Sequence, residues 1–462
     1  MKQTLRRAAL IAAACFGLAA GAADAPKYIF YYIGDGMGLG PVNATETYRR
    51  QVLGATEPLT MNTFEQLGWI TTYSASSPVT DSAAAGTALA TGHKTNNGML
   101  GVTPDSATVQ SVAAELFARG WGVGLTTSVY PDDATPGAFY AHVPSRKHYY
   151  TIDCTMAECG YQFVGGAGLT GTATDGEPND VWARLEANGV QVVRGPEGID
   201  SIRSERVLLL NPEGSKTWNI GYTVDSLPGV LDLPLMARTC LRQLERTSPE
   251  RFFMMVEGGN IDHALHANDG GAAIKEIINF NEAIQVAVDF YRQHPDETLI
   301  VVTADHDTGA LSLLNRAKDG LKYIDSQRIS KEEFNDYCKA ILRSRRVFTW
   351  EDMKEFLNEK LGLFGAVPVS AGQEEELKED FTKTFELRNS EDQETLYARF
   401  NEFAKDVFEL FNTSAGLAFS TTGHSGNPVP VCALGVGADR FRGFMDNTDI
   451  PARIRSIAGL SE

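Results

Sequence analysis

Short apolar runs alternate with stretches of helical periodicity along most of the chain. Five runs rich in β-branched and aromatic residues occupy positions 28–33, 123–127, 252–256, 299–303 and 429–434. Between them, apolar residues recur at helical spacing, for example in 108–119 and 272–293. Runs with little polar alternation are typical of strands buried on both faces, and their alternation with helices favours parallel strands. The pattern predicts an α/β fold, a three-layer sandwich with a large, mostly parallel central sheet flanked by helices.

One region departs from this pattern. Between 331 and 410, 31 of 80 residues are charged, against 22% for the whole chain. The apolar positions there recur at helical spacing, as in Phe334, Tyr337, Ile341 and Leu342. Charges arranged along helices are usually solvated rather than functional. We therefore expect a charged helical insertion, at about 318–415, within one α/β domain that spans 23–462.

The first residues have the pattern of an export signal. Basic residues precede an apolar run at 8–20, and small residues follow at 20–22. This order is typical of a secretory signal peptide, and the run is too short to span a membrane. We expect residues 1–22 to be removed and the protein to be periplasmic or extracellular. Lipid anchoring at Cys15 is the less favoured alternative.

The charge balance limits the classes of partner. The chain carries 41 Lys and Arg against 59 Asp and Glu, a formal net charge of −18. Such a chain is poorly suited to general binding of nucleic acids or anionic membranes, so we expect no nucleic-acid partner. A local anion site remains compatible with this charge, because bound metal ions or a focused arginine reverse the local sign.

The cysteines suggest little chemistry. Cys154 and Cys159 are close enough in sequence to close a small loop through a disulfide, which export would permit. Their spacing fits a metal site poorly. Cys240 and Cys432 are interpreted as small buried apolar residues.

Acidic and histidine residues gather next to the predicted strands. The strand at 28–33 leads into an aspartate, and the strands at 252–256 and 299–303 lead into acids and histidines. In open α/β sheets, ligands bind at the carboxyl ends of the strands. The residues that this rule brings together are Asp35, Glu257, Asp262, His266, Asp305 and His306, with His424 contributed by a glycine-flanked loop.

The carboxylates gathered at the strand ends are expected to need cations to offset their mutual repulsion. Without them, each carboxylate would raise the pKa of its neighbours. Mixed carboxylate and imidazole ligands suit Zn²⁺, whereas oxygen ligands alone suit Mg²⁺. Four of the eight histidines, His263, His266, His306 and His424, fall in these segments. This clustering favours a divalent metal centre over scattered core or surface histidines.

A serine nucleophile is the second candidate feature. Ser82 lies in Thr80-Asp81-Ser82-Ala83-Ala84-Ala85-Gly86-Thr87, whose small residues permit a tightly packed helix. The N-terminus of a helix favours a bound anion. A serine hydroxyl needs a base or a metal to activate it, and the Gly-x-Ser-x-Gly motif of other hydrolases is missing from the sequence. The alternative is that Asp81 and Ser82 only cap a helix.

A third block begins after the strand at 123–127. It contains Asp133-Ala134-Thr135-Pro136, with Arg146 ten residues beyond. A guanidinium group is a planar fork that binds two oxygens of a phosphoryl group. The alternative for an isolated arginine is a surface salt bridge.

These blocks, in this order, resemble the alkaline phosphatase family. The similarity extends from Tyr28 to about Leu434. It consists of five separated motifs: Ile33-Gly34-Asp35-Gly36-Met37-Gly38, the Ser82 block, the Asp133 block with Arg146, Glu257-x4-Asp262-x3-His266, and Thr303-Ala304-Asp305-His306 with Thr422-Gly423-His424.

The resemblance implies a centre of two Zn²⁺ and one Mg²⁺. The implied ligands are Asp262, His266 and His424 for one Zn²⁺, Asp35, Asp305 and His306 for the other, and Asp35, Thr135 and Glu257 for Mg²⁺.

The resemblance also implies roles for the remaining residues. Ser82 would be the nucleophile that becomes phosphorylated, Arg146 would bind the phosphoryl oxygens, and Asp81 would help to orient Arg146. Asp133 and His263 correspond to two positions, near the Mg²⁺ and the phosphate, at which the family varies.

The implied activity is hydrolysis of phosphate monoesters with a broad substrate range, for phosphate scavenging by an exported homodimer. Alternatives are a phosphodiesterase or sulfatase of related design, a metal-dependent phosphoglycerate mutase, and a non-catalytic exported protein that binds metal or phosphate. The Ser82 block lacks the Cys-or-Ser-x-Pro-x-Arg pattern of a sulfatase, and export argues against a glycolytic mutase.

Overall fold

A ten-stranded sheet forms the centre of the molecule. The computed structural model describes residues 25–174, 176–344 and 347–460. In chain order the strands are β1 (Tyr28–Gly34), β2 (Gln66–Thr71), β3 (Gly122–Thr127), β4 (Phe163–Gly166), β5 (Val190–Arg194), β6 (Arg206–Leu210), β7 (Phe252–Glu257), β8 (Thr298–Ala304), β9 (Val429–Gly435) and β10 (Gly443–Asp446). Across the sheet they follow the order β10-β2-β9-β8-β1-β7-β3-β4-β6-β5.

Neighbouring strands are parallel except where β9 is involved. β9 runs antiparallel to both of its neighbours, β8 and β2. The central strand β1 pairs in parallel with β8 and β7, and all seven of its residues are buried. The absence of polar alternation in β1 thus reflects helices on both faces of the sheet.

Two adjacent tyrosines of β1 identify the two outer layers. Successive side chains of a strand point to opposite faces. The Tyr31 hydroxyl donates to the carbonyl oxygen of Leu89, whereas the Tyr32 hydroxyl donates to that of Ala283. Leu89 and Ala283 belong to helices on opposite faces of the sheet, so the predicted three-layer α/β fold is confirmed.

The helices fill these two layers and the connections. Their bounds are α1 (Leu39–Gln51), α2 (Ser82–Thr91), α3 (Val112–Ala118), α4 (Ala134–Gly137), α5 (Tyr149–Glu158), α6 (Val181–Ala187), α7 (Gly195–Gly198), α8 (Leu233–Thr247), α9 (Gly259–His266), α10 (Gly270–Tyr291), α11 (Ala317–Gly320), α12 (Lys331–Ser344), α13 (Trp350–Leu361), α14 (Ala371–Phe381), α15 (Glu402–Ala415) and α16 (Asp449–Ile457). Leu89 belongs to α2 and Ala283 to α10.

Helices α12 to α15 build a second hydrophobic core beside the sheet. It is rich in aromatic residues, among them Phe334, Trp350, Phe381, Phe403 and Phe408. The charged region is therefore amphipathic and mostly helical. It also contains a β-hairpin, Asp392–Glu394 with Arg399–Asn401, which the helical pattern did not predict. The boundaries at about 318 and 415 stay a prediction.

The five predicted strands are β1, β3, β7, β8 and β9, each within one residue of its expected bounds. The predicted helices at 108–119 and 272–293 correspond to the shorter α3 and to α10. Strands β2, β4, β5, β6 and β10 were not predicted. Most of them lie towards the edges of the sheet, where strands are short and partly polar.

The remaining predictions concern the cysteines and the first residues of the chain. Cys154 and Cys159 both carry free thiols, because they lie in and at the end of α5, so the disulfide alternative is wrong in this structure. Cys240 and Cys432 are buried, as predicted. The predicted signal peptide, with Cys15, lies outside the described residues. Within the described ranges, no helix has the length and apolarity needed to cross a membrane.

Candidate active site

The strand order explains why distant acidic residues meet. Strands β7, β1 and β8 are consecutive across the sheet and parallel. Their carboxyl ends therefore lie side by side, which brings Asp35, Glu257 and Asp305 to one edge. We call this edge, with the side chains described below, the catalytic edge.

The direction of β9 explains how a histidine before a strand joins residues that follow strands. Because β9 is antiparallel, its beginning lies at the carboxyl ends of its neighbours. His424 precedes β9 and forms a two-residue ladder, in which His424 and Ser425 pair with Thr308 and Asp307. The ladder fixes His424 beside the residues that follow β8.

Three of the predicted metal ligands form a first cluster. In α9, Asp262 and His266 are one turn apart, and Asp262 Oδ2 lies 3.3 Å from His266 Nε2. His266 Nε2 lies 3.0 Å from His424 Nε2, and His424 Nε2 lies 4.0 Å from Asp262 Oδ1. The structure thus brings together the three residues that the sequence assigned to one Zn²⁺.

A second cluster adjoins the first. His306 Nε2 lies 3.4 Å from Asp35 Oδ1 and 3.1 Å from Asp305 Oδ2. The rings of His306 and His424 stack with their centroids 3.7 Å apart, so the two clusters are in direct contact. His306, Asp262 and His424 also offer mutually close ligand atoms. The set predicted for the second Zn²⁺ is therefore also assembled.

The hydrogen bonds of His266 and His424 direct their ligand atoms inward. Nδ1 of His266 lies 2.5 Å from the Thr422 carbonyl oxygen, and Nδ1 of His424 lies 2.8 Å from that of Thr80. A carbonyl oxygen only accepts, so each Nδ1 carries a proton, and in the neutral imidazole each Nε2 presents a lone pair. The two Nε2 atoms at 3.0 Å are compatible only with a cation or a proton between them.

The carboxylates lead to the same conclusion. Within the described part of the chain, Asp35 Oδ1, Asp262 Oδ2 and Asp305 Oδ2 are buried without a hydrogen-bond partner. Burial and neighbouring carboxylates raise the pKa of Asp35, and burial and Asp262 raise that of Asp305 to about 7. Cations would relieve both penalties, so this donor set fits divalent ions of the Zn²⁺ type.

Thr308 is a contributor that the sequence analysis missed. Its hydroxyl donates to Asp262 Oδ1 at 2.5 Å and lies 3.2 Å from His306 Nδ1. Because the hydroxyl donates its proton to Asp262, it accepts a hydrogen bond from Nδ1 of His306. The neutral His306 ring therefore carries its proton on Nδ1 and leaves Nε2 free to bind a metal. Thr308 stands two residues after His306, but spacing alone does not identify such a role.

Gly36 permits the close approach of these groups. Its φ is +68°, and a Cβ there would lie 2.7 Å from Asp262 Oδ1. Its N–H donates to Asp305 Oδ1 at 3.0 Å. A side chain at this position would be strained and would displace the Asp262 carboxylate.

The residues predicted to hold Mg²⁺ also have oxygen atoms that lack partners. Thr135 Oγ1 and Glu257 Oε1 are both buried and, among the described residues, without a hydrogen-bond partner, like Asp35 Oδ1. The other carboxylate oxygen of Glu257 accepts from the Thr127 hydroxyl at 2.5 Å. Burial and the charge of Asp133 raise the pKa of Glu257 to about 8. All three are oxygen donors, which is the ligand type that Mg²⁺ prefers.

Ser82 begins α2 and faces the second cluster. Its Oγ is fully buried and lies 3.1 Å from His306 Nε2. Asp81 caps the helix, since its Oδ1 accepts from the N–H of Ala84 at 3.0 Å. The cap that served as the alternative interpretation is therefore real, and it coexists with the placement of Ser82 next to candidate metal ligands at a helix N-terminus.

Arg146 lies near Asp81, the residue before Ser82, and is held by two carboxylates. Its Nη2 donates to Asp133 Oδ1 at 2.6 Å, and its Nη1 lies 3.7 Å from Asp81 Oδ2. The guanidinium is mostly buried, in contrast to the surface salt bridge that served as the alternative. Two carboxylates hold the fork in one orientation, as anion recognition requires.

His263 lies in α9, between the candidate ligands Asp262 and His266. It is buried, and its Nε2 lacks a hydrogen-bond partner within the ranges that the structure describes. Burial lowers its pKa, which favours the neutral imidazole. Its ring contacts Tyr397, with centroids 4.0 Å apart. Tyr397 comes from the charged insertion and is a second residue that the sequence analysis missed, because no motif surrounds it.

Comparison with known proteins agrees with this arrangement. The family described as alkaline phosphatase matches residues 26–163 and 206–460. Alkaline phosphatase 3 of Bacillus subtilis is 28% identical, over 93% of this chain and 88% of its own. A cold-active alkaline phosphatase from a psychrophilic Shewanella superposes with a TM-score of 0.76 at 26% identity, covering 94% of this chain and 100% of that one.

The Thermus thermophilus alkaline phosphatase shares the fold. It superposes with a TM-score of 0.80 at 24% identity, and the superposition covers 98% of this chain and 96% of that one. The family match covers most of the chain and includes every predicted site residue. The chain belongs to the alkaline phosphatase family and is a phosphatase.

Proposed function

We propose that the protein hydrolyses phosphate monoesters to an alcohol and inorganic phosphate through a phosphorylated Ser82. One observation carries the proposal. Nε2 lone pairs and partnerless carboxylate oxygens converge within a few ångströms of a serine at the N-terminus of α2. Membership of a metal-dependent phosphatase family supports the same reaction.

We further propose two Zn²⁺ and one Mg²⁺ as the resident ions. The ligands would be Asp262, His266 and His424; Asp35, Asp305 and His306; and Asp35, Thr135 and Glu257. Bound there, the ions would neutralise phosphoryl charge and lower the pKa of the serine hydroxyl and of water.

The side chains of the protein carry out the remaining steps. Arg146 binds two non-bridging oxygens of the substrate, and Asp133 and Asp81 keep its fork in place. Ser82 Oγ gives its proton to solvent water and attacks phosphorus. The bond from phosphorus to the ester oxygen breaks, and the leaving oxygen takes a proton from water. The N–H groups that begin α2 stabilise the negative charge.

A second attack completes the reaction. Water attacks the phosphorylated Ser82 on phosphorus, and the serine oxygen leaves and regains a proton. The groups that surround phosphorus address the phosphoryl group rather than the alcohol. This supports a broad range of monoesters, and a role in phosphate scavenging. Export through residues 1–22 and a homodimeric state stay predictions.

Hydrolysis of p-nitrophenyl phosphate tests the proposal. The assay uses the mature chain loaded with Zn²⁺ and Mg²⁺, then the same chain after chelation, and the Ser82→Ala variant. We expect chelation to abolish turnover and Ser82→Ala to lower kcat by about 10³-fold or more, because the nucleophile is lost. The exposed Ser201 provides a matched control, Ser201→Ala, which should leave the rate unchanged.

The sulfate and bis-phosphate analogues complete the test. A preference for the phosphodiester or for the sulfate ester would overturn the substrate class while leaving the fold in place. Lack of turnover of all three esters by the metal-loaded protein would favour the non-catalytic binder. Full activity of Ser82→Ala would overturn the phosphoserine step.

A further inference from the structure

Tyr397 joins the charged insertion to the catalytic edge. It lies in the turn of the hairpin formed by Asp392–Glu394 and Arg399–Asn401. Its ring contacts two histidines of α9, with centroid distances of 4.0 Å to His263 and 5.2 Å to His266. Part of the residue is exposed, but its hydroxyl oxygen is buried. The insertion thus directs a phenol inward.

The hairpin is held in place from several sides. At its turn, the N–H of Thr395 donates to the Ala398 carbonyl oxygen at 2.9 Å. Asn335 of α12 donates through Nδ2 to the Arg399 carbonyl oxygen at 2.9 Å, and its Oδ1 accepts from the N–H of Asn401 at 3.1 Å. These bonds tie the second strand of the hairpin to α12 and close its turn, so Tyr397 is positioned before any substrate arrives.

The hydroxyl of Tyr397 has no hydrogen-bond partner among the residues described by the structure. A buried hydroxyl without a partner is destabilising, so a partner from outside the chain is expected. Its surroundings indicate which one. Burial and the charge of Asp262 raise the pKa of the phenol, while Arg146 acts in the opposite direction. With its ring against His266, the phenol lies beside a candidate metal ligand and within electrostatic range of the Arg146 guanidinium.

We propose that Tyr397 donates a hydrogen bond to a non-bridging phosphoryl oxygen of the substrate, next to Arg146. This inference rests on the proposed function, because it needs a phosphoryl group bound at Ser82. The phenol has a hydrogen-bond donor without an acceptor, and a non-bridging phosphoryl oxygen is such an acceptor. The insertion then contributes a specificity-determining contact, rather than only a charged surface.

Removal of the oxygen atom alone is the test. In the metal-loaded protein, Tyr397→Phe keeps the ring against His263 but removes the donor. We expect kcat/KM for p-nitrophenyl phosphate to fall about 10–100-fold, as for a hydrogen bond to a charged group. The matched control is Tyr337→Phe, since Tyr337 belongs to the same insertion and stacks on Phe356, with ring centroids 4.0 Å apart.

A binding measurement separates this contact from catalysis. Calorimetric titration of inorganic phosphate compares metal-loaded Ser82→Ala with Ser82→Ala/Tyr397→Phe, and metal content and Tm are measured in parallel. We expect phosphate affinity to fall by the same factor as kcat/KM, with metal content and Tm unchanged.

Other outcomes overturn the inference. Unchanged phosphate affinity and kcat/KM in Tyr397→Phe would show that the phenol contacts no phosphoryl oxygen. Loss of metal or a lower Tm would show that the hydroxyl supports the ligands or the hairpin instead. Failure of the proposed function is distinguishable, because the wild-type protein would then bind phosphate without hydrolysing the ester.

Discussion

The catalytic edge and the insertion place their acidic side chains in opposite environments. At the catalytic edge, Asp262 and Asp305 are completely buried. In the insertion, the side chains of Glu351, Glu359 and Glu394 are 80%, 67% and 72% exposed. Acidic residues are especially frequent in the sequence of the insertion. The acidic residues of the candidate active site are instead the buried ones at the catalytic edge.

This contrast identifies the carboxylates that need a functional explanation. An exposed carboxylate is solvated, and exposed ion pairs contribute about 0–1 kcal/mol to stability. A buried carboxylate without a partner costs several kcal/mol unless a cation or a proton compensates it. The insertion therefore depends on its aromatic core for stability, while the catalytic edge depends on ions that the protein must bind.

The largest expected effect separates the stability of the two regions. Phe403 is completely buried in the second core, with ring centroids 6.0 Å from Phe334 and from Phe381. We expect Phe403→Ala to cost the insertion about 3–5 kcal/mol through the cavity it leaves. Hydrogen exchange measured by mass spectrometry should show faster exchange in α12 to α15 and unchanged exchange in β1, β7 and β8.

The exposed Leu396, in the same insertion, provides the control. Leu396→Ala should leave exchange unchanged throughout, because its side chain is more than half exposed. If Phe403→Ala accelerated exchange in the central strands equally, the two regions would form one cooperative unit, and the comparison would fail.

The sequence predicts the catalytic edge better than the insertion, for a physical reason. Asp35 and Asp305 directly follow apolar runs that only a doubly covered sheet explains, so their meeting follows from strand order. His424 was included because its glycine-flanked loop precedes a predicted strand, and its role as a ligand came from the family resemblance, although the antiparallel direction of β9, which explains its position, was not predicted.

Residues that act through long-range contacts escaped prediction. Tyr397 reaches the site from a hairpin inside a region whose periodicity indicates only helices, and Thr308 acts through a hydroxyl that no spacing rule identifies. Strands β4 and β6 are buried but were missed because they are short, and β5 was missed because most of its residues are only partly buried or exposed.

A smaller effect tests whether the catalytic edge needs support beyond its ligands. Thr308→Val keeps the shape of the side chain but removes its hydrogen bonds to Asp262 and His306. We expect Zn²⁺ affinity, measured by competition with a chelator, to fall about 10–100-fold, because the orientation of both ligands is lost. Thr308→Ser, which keeps the hydroxyl, should retain most of the affinity. Equal affinity in Thr308→Val and wild type would contradict the role of Thr308.

Asp132 and Asp153 form a third group of acids, which are buried like those of the catalytic edge. Asp132 and Asp153 are buried within the α/β core, and Asp153 has neither oxygen bonded to any residue in the described ranges. Burial and the charge of Asp132 raise the pKa of Asp153, and burial raises that of Asp132 to about 6. In contrast to the catalytic edge, the residues described around this pair form no cluster of potential metal ligands. Burial without a partner is therefore compensated here by a retained proton.

The smallest expected effect follows from that proton. The folded state holds it to higher pH than the unfolded chain, whose aspartate titrates near about 3.9. Stability therefore falls as pH rises from about 4 through the raised pKa values of the pair. Asp153→Asn should remove this loss and stabilise the protein by about 1–2 kcal/mol above about pH 7, with little effect near about pH 4. Urea unfolding at several pH values measures the difference, and Asp200→Asn, at an exposed position, is the control. A contradictory result would be loss of a bound metal ion or of activity in the Asp153→Asn variant. Asp132 and Asp153 would then belong to a functional site, and buried acids without histidine neighbours could not be explained by a retained proton.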